Sequence, residues 1–145
     1  FGETLLMIAA GAANLEVVNH LCLLGSDVSA VASTGDTPLI CAVRGACDES
    51  PEAEVTEART AIIDTLIRFG AVPDQLGWQG CSALHYAVMY GFVELVRHLL
   101  VGGADPKARI CDPPSNESAI ELAESGRFYG SECQRQAIID LLKRA

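Results

Sequence analysis

Basic side chains are scarce in this sequence, and its first 35 residues contain neither lysine nor arginine. Ten bases stand against 19 acids over 145 residues, a formal charge of −9. A field of that sign repels phosphate backbones, so direct nucleic-acid binding is not expected and a basic partner is favoured. The imbalance lies early: residues 36–80 hold eight acids and three bases, whereas residues 81–115 hold three of each. Long hydrophobic runs are also lacking. No window approaches the roughly 18 uninterrupted apolar residues of a membrane span, and the opening "FGETLLMIAA" has no basic stretch of the kind that begins a signal peptide. No membrane insertion is expected. A chain that opens on Phe1 rather than methionine is expected to be a piece of a longer protein.

The motifs of catalysis are absent too. There is no glycine-rich phosphate loop, no H-E-x-x-H and no convincing carboxylate pair, so no catalytic residue, metal or cofactor is expected. Cys22, Cys41, Cys47, Cys81, Cys111 and Cys133 form no C-x-x-C pair and fall mostly in apolar runs, where a thiol acts as a small hydrophobe. Reduced thiols point to an intracellular setting, cytoplasm or nucleus. Asp48, Glu49, Glu52, Glu54 and Glu57 lack the alternating spacing of a calcium loop and read as the solvated face of a helix start.

What the sequence does contain is itself, several times over. With 50% hydrophobic and 20% charged residues it has the composition of one folded domain. "GETLLMIA" (2–9), "GDTPLICA" (35–42), "GCSALHYA" (80–87) and "NESAIELA" (116–123) align, and so do the closing segments "HLCLLGSDV" (20–28), "LIRFGAV" (66–72) and "HLLVGGADP" (98–106). In the clearest copy, residues 80–106, apolar residues recur at helical spacing, break at Gly91, and recur again until Gly102-Gly103. That pattern predicts a helical hairpin. One hairpin cannot bury its apolar side alone, whereas four stacked in series share a continuous core.

A 33-residue helix-helix unit opening on G-x-T-P-L-H-x-A and closing on L-L-x-x-G-A-D resembles the ankyrin repeat, over essentially the whole chain. The resemblance implies an all-α solenoid of stacked helix-turn-helix units joined by β-hairpin-like loops, with repeats at approximately 1–34, 35–79, 80–115 and 116–145. Thr37 and Pro38 suit a helix start as cap and first residue. Gly25, Gly70 and Gly103 suit the left-handed position that ends a helix, and alanines 9, 42, 87 and 123 allow close helix approach. His85 holds the motif's histidine position, which implies a structural hydrogen bond to neighbouring backbone. His20 and His98 recur at equivalent places and read as architecture.

Three departures stand out. The second interval, Gly35 to Gly80, is twelve residues too long, with the excess between the two helices of repeat two. Ser50-Pro51 and the acids after it predict that the second helix there begins near Pro51 and runs to about Phe69. Repeat four carries an excess near "SGRFYGSECQRQ", where Ser131 and Gln134 predict a capping box and a helix from Glu132, with Phe128 and Tyr129 in the loop. "ICDPPSN" (110–116) lengthens the connection before repeat four. The ends differ as well: repeat one is apolar all round its first helix, like an internal repeat without its neighbour, whereas repeat four ends in Lys143 and Arg144.

The resemblance implies a non-enzymatic module that binds a protein or peptide on its concave face, as a monomer. Carried onto this chain, the expected contacts are Val31, Ser33, Asp36, Arg44, Leu76, Trp78, Gln79, Met89 and Tyr90, with Trp78 and Tyr90 as anchors. Two alternatives are an interaction through the acidic residues Asp48, Glu49, Glu52, Glu54 and Glu57, and an intramolecular scaffold packed against other domains of the same chain.

Overall fold

The computed structural model describes residues 2–49, 57–111, 116–125 and 127–145. Over these the chain forms eight α-helices: α1 (Leu5–Gly11), α2 (Leu15–Leu23), α3 (Pro38–Glu49), α4 (Glu57–Arg68), α5 (Ala83–Met89), α6 (Val93–Val101), α7 (Ala119–Glu124) and α8 (Glu132–Arg144). Among the described residues there is no strand, only an isolated antiparallel bridge between Arg109 and Ser118. Consecutive helices pair as hairpins. The first helices then pack in the order α1, α3, α5, α7, and the second helices in the order α2, α4, α6, α8. The result is a two-row solenoid whose core runs between the rows: Leu6, Leu39 and Leu84 from the inner row, with Val18, Ile62 and Leu99 from the outer, are each at most 1% exposed. None of the described helices is long and apolar enough to cross a membrane.

The helix starts show one device built from different chemistry. Thr4, Ser118 and Ser131 each accept a hydrogen bond from the backbone N–H three residues on, and the side chain of that third residue accepts from the cap's own N–H. That third residue is Met7 in the first hairpin, Glu121 at α7 and Gln134 at α8. The capping box expected from Ser131 and Gln134 is present, and α8 starts at Glu132. Glu121, accepting from Ser118 N–H at 2.7 Å, is held below the usual carboxylate range by that bond first, with Arg109 adding to it. At α5 the third residue is His85. Ser82 N–H donates to its Nδ1 at 3.1 Å, so the hydrogen sits on Nε2, which donates to the Ala108 carbonyl at 3.0 Å. The expected structural hydrogen bond is therefore made, and it ties α5 to the connection leading to α7.

His85 is fully buried, and burial lowers its pKa below the ordinary value of 6.5. The folded state thus binds this proton less readily than the unfolded chain. The stability it contributes is complete above the unfolded value and is lost as pH falls from there toward the lowered folded value. Melting followed from pH 8 to pH 5 is expected to drop below about pH 6.5, and the wild-type excess of that drop over His85→Gln isolates the residue.

The insertion of repeat two is arranged differently from expectation. Helix α3 has 12 residues where α1 and α5 have seven, and Asp48 and Glu49 close it instead of opening the next helix. The physical reason lies at one register position. Ala13 after α1 and Gly91 after α5 turn out of the helix at φ of +55° and +76°, whereas the equivalent Ala46 stays helical because extra chain is available before α4 must begin. The expected start near Pro51 falls outside the described residues; α4 is seen from Glu57 to Arg68.

One residue that sequence reasoning passed over links these rows. Arg59, on α4, is 1% exposed, and its Nη1 donates to the carbonyls of Gly11 at 3.1 Å and Ala42 at 2.9 Å. It stands three, four and seven residues before Ile62, Ile63 and Leu66, on the apolar side of its helix.

Candidate partner-binding surface

The inner row presents three successive register positions to the concave side. Glu3, Asp36 and Cys81 follow the motif glycine; Ile8, Cys41 and Tyr86 precede the motif alanine; Gly11, Arg44 and Met89 come one turn later. In the second hairpin these side chains form a linked set. Asp36 is 5% exposed, and its Oδ2 accepts from Arg44 Nη1 and from the Thr34 hydroxyl. The Arg44 guanidinium lies 5.8 Å from the centre of the Tyr86 ring, and the Tyr86 hydroxyl donates to the Trp78 carbonyl at 3.1 Å. Burial pushes the Tyr86 phenol up to about 12, against the opposing effect of Arg44. Arg44 is thereby fixed by a carboxylate at its tip and a ring beneath it, with its side chain still 41% exposed.

Beside it the small residues Gly11 and Gly45 leave a hollow of about 280 Å³ between α1 and α3, over Ile8 and Cys41. Burial first, then the charges of Asp36 and Glu3, push the Cys41 thiol up to about 11. It is a half-buried thiol whose raised pKa disfavours the nucleophilic thiolate.

The far end of the row is finished by the insertion in the fourth hairpin. Tyr129 N–H donates to the Met89 carbonyl at 2.7 Å, and its ring centre lies 5.5 Å from that of Tyr90. Phe128 is buried beside it, with the Arg135 guanidinium 5.1 Å from its ring centre. Both aromatics lie in a loop, as expected.

The sequence-predicted contacts divide accordingly. Val31, Ser33, Leu76, Trp78 and Gln79 are exposed along the connecting loops that stack beside the inner row. Met89, Tyr90 and Arg44 are half-buried. Asp36 departs from expectation: its carboxylate is inside, where it holds Arg44, and is not an open contact. Trp78 precedes α5 and Tyr90 caps its end, with Tyr86 between them in the chain. Of the acidic alternative, Glu57 is exposed at the first residue of α4, Asp48 and Glu49 end α3, and Glu52 and Glu54 lie outside the described residues. Beside the sequence-predicted contacts the structure places Glu3, Ile8, Cys41, Tyr86 and Tyr129, which sequence reasoning did not single out as contacts. The first four were legible in principle, because they occupy repeated slots on either side of the helix start.

Helical hairpins stacked in two rows, with different residues at equivalent positions of the first helices, define a helical-repeat scaffold. A family model described as ankyrin repeats, in three copies, matches residues 6–110, and the chain belongs to the ankyrin repeat family. The crystal structure of the ankyrin repeat domain of Bcl-3, described as a unique member of the IkappaB protein family, is similar at 29% identity with a TM-score of 0.73. That similarity covers 98% of this chain and 52% of the Bcl-3 domain, so the chain spans about half the length of that structure. No curated protein matches the sequence. Ankyrin repeats generally mediate protein-protein interactions, and that role applies to this chain as a class.

Proposed function

We propose that the chain is a non-catalytic docking module, four hairpin repeats long, that holds an extended protein segment along its concave row. The observation that carries this is the arrangement around α5: the exposed rings of Trp78 and Tyr129 stand at its two ends, and the fixed guanidinium of Arg44 lies between them over Tyr86. Aromatic and arginine side chains set in place before binding lose little freedom on contact, which is what makes anchors of them. The four-part division of residues 1–145 and an intracellular setting for its free thiols belong to the same reading.

A random peptide library displayed on phage and selected on the intact chain tests it. Binders are expected, and the Trp78→Ala/Tyr129→Ala double variant is expected to weaken them about 30-fold, the loss of roughly 2 kcal/mol typical of anchor residues, with an unchanged melting temperature. Tyr129 replaces Tyr90 in this test because Tyr90 is half-buried and its removal would disturb packing. Undiminished binding by the double variant sinks the reading.

A second reading rests on the first hairpin, where Leu5, Leu23 and Leu24 are 72%, 75% and 70% exposed. Exposed leucines this close together favour packing against another part of the same chain.

A further inference from the structure

The hollow between α1 and α3 combines apolar and charged lining. Its apolar lining is Met7, Ile8 and Cys41, and two glycines, Gly11 and Gly45, border it. Its charged rim is Glu3, Asp36 and Arg44. The guanidinium of Arg44 is already bound to Asp36 Oδ2, while Asp36 Oδ1 has no hydrogen-bond partner among the described residues, although its side chain is only 7% exposed. Glu3 is exposed, and no basic residue other than Arg44 occurs anywhere in residues 1–49, where six acids stand against that one base. Burial first, then the charges of Asp36 and Glu3, raise the Cys41 thiol, against the opposing effect of Arg44.

A ligand matched to this place needs an apolar stem to lie on Ile8 and a positive head to meet the rim. Those are the two parts of a lysine or arginine side chain, whose methylenes cover apolar surface while the charge stays at a polar edge. An acidic side chain is disfavoured, because the Arg44 guanidinium is already bound to Asp36, and Arg59, whose Nη1 meets the Gly11 carbonyl, is buried and bonded to backbone. We propose that the hollow over Ile8 and Cys41 seats a lysine or arginine side chain of the docked segment, with Glu3 as its counter-charge. This rests on the concave-docking reading and narrows the partner to a segment with a basic residue placed toward the first two hairpins. Glu3 is the selecting group, since it is the exposed carboxylate of the rim; Asp36 holds Arg44 in place.

The test uses the intact 145-residue chain, labelled with nitrogen-15, and three blocked nonapeptides of Gly, Ala and Leu carrying arginine, citrulline or glutamate at the centre. The arginine peptide is expected to shift the amides of Glu3, Ile8, Gly11, Cys41 and Gly45 saturably, and the citrulline and glutamate peptides to leave them in place. Glu3→Gln is expected to weaken the arginine peptide about threefold to fivefold, the range for an exposed charge pair. Raised salt is expected to weaken it further. Equal shifts from the citrulline peptide, shifts scattered over the outer row, or no change in Glu3→Gln would overturn the assignment. Library-selected peptides separate this failure from that of the docking reading. If their binding falls in the Trp78/Tyr129 double variant but not in Glu3→Gln, docking stands and the cation seat is wrong; if it falls in neither, both are wrong.

Discussion

An Arg59→Ala variant is expected to melt roughly 10 °C below the parent chain. The side chain is 1% exposed, and its Nη1 satisfies two carbonyls, Gly11 at the end of α1 and Ala42 within α3. Truncation leaves both acceptors short of a donor in a buried place and opens a cavity of arginine size. Each lost partner costs about 1–3 kcal/mol and the cavity adds to it, so a total of about 3–5 kcal/mol is expected. For a domain of this length each kcal/mol moves the midpoint by about 2–4 °C. Arg59→Lys separates charge from geometry. Lysine keeps the cation but offers a single nitrogen on a different stem and cannot reproduce the planar fork, so an intermediate loss is expected. Thermal melts of the three proteins, followed by circular dichroism, check this. A melting temperature for Arg59→Ala within 2 °C of the parent, a shift below the effect of about 1 kcal/mol, would mean that the two carbonyl bonds contribute nothing net.

The second large effect concerns the same junction from the other side. Gly45→Ala is expected to destabilise by about 2 kcal/mol, although glycine to alanine within a helix ordinarily stabilises by about 0.5–1 kcal/mol. The sign reverses because a Cβ at position 45 would stand 2.1 Å from the Gly11 carbonyl oxygen, which is backbone and cannot swing aside. Helices α1 and α3 would have to separate, and the Gly11 carbonyl would move off Arg59. Gly11→Ala is the matched control. Its Cβ would meet the Cys41 carbonyl at 3.7 Å, an ordinary contact, so it is expected to be neutral or slightly stabilising. Since Gly45 and Arg59 share the Gly11 carbonyl, the Gly45→Ala/Arg59→Ala double variant is expected to lose less than the two single losses combined.

These junctions show where sequence reading succeeds and where it stops. The hairpin pattern, the cap at Ser131, the start of α8, the left-handed glycines 25, 70 and 103 and the role of His85 were all legible, because each is a local signal repeated at fixed spacing. The extra length of α3 was not. Ser50-Pro51 is a good local start signal, but it says nothing about how far the preceding helix runs, and Ala46 carries no mark that it will stay helical where Ala13 and Gly91 turn. Arg59 was hidden for a different reason. A charged residue among Ile62, Ile63 and Leu66 looks like a break in the apolar face until the carbonyls that receive it are seen, and they come from residues 48 and 17 positions away.

The proposed docking row was half legible. Trp78 stands out by residue type, and its ring is exposed as a contact requires. Asp36 also stood out, but local sequence could not reveal that Arg44, eight residues later, would turn back to it and draw it inside. Tyr129 could be placed in a loop but not on Tyr90, because the length of an insertion does not say which surface it will cover. The middle slot of Ile8, Cys41 and Tyr86 could have been found by asking which positions vary between otherwise matching copies.

Concave docking stands or falls most directly on a comparison between the two rows. One library-selected peptide is measured by fluorescence anisotropy against Trp78→Ala/Tyr129→Ala on the inner side and Val17→Ala/Val101→Ala on the outer helices α2 and α6, both pairs being exposed. Docking on the concave row predicts a loss of about 30-fold for the inner pair, the effect of roughly 2 kcal/mol, and unchanged affinity for the outer pair. Loss confined to the outer pair, with both variants melting like the parent, would contradict it.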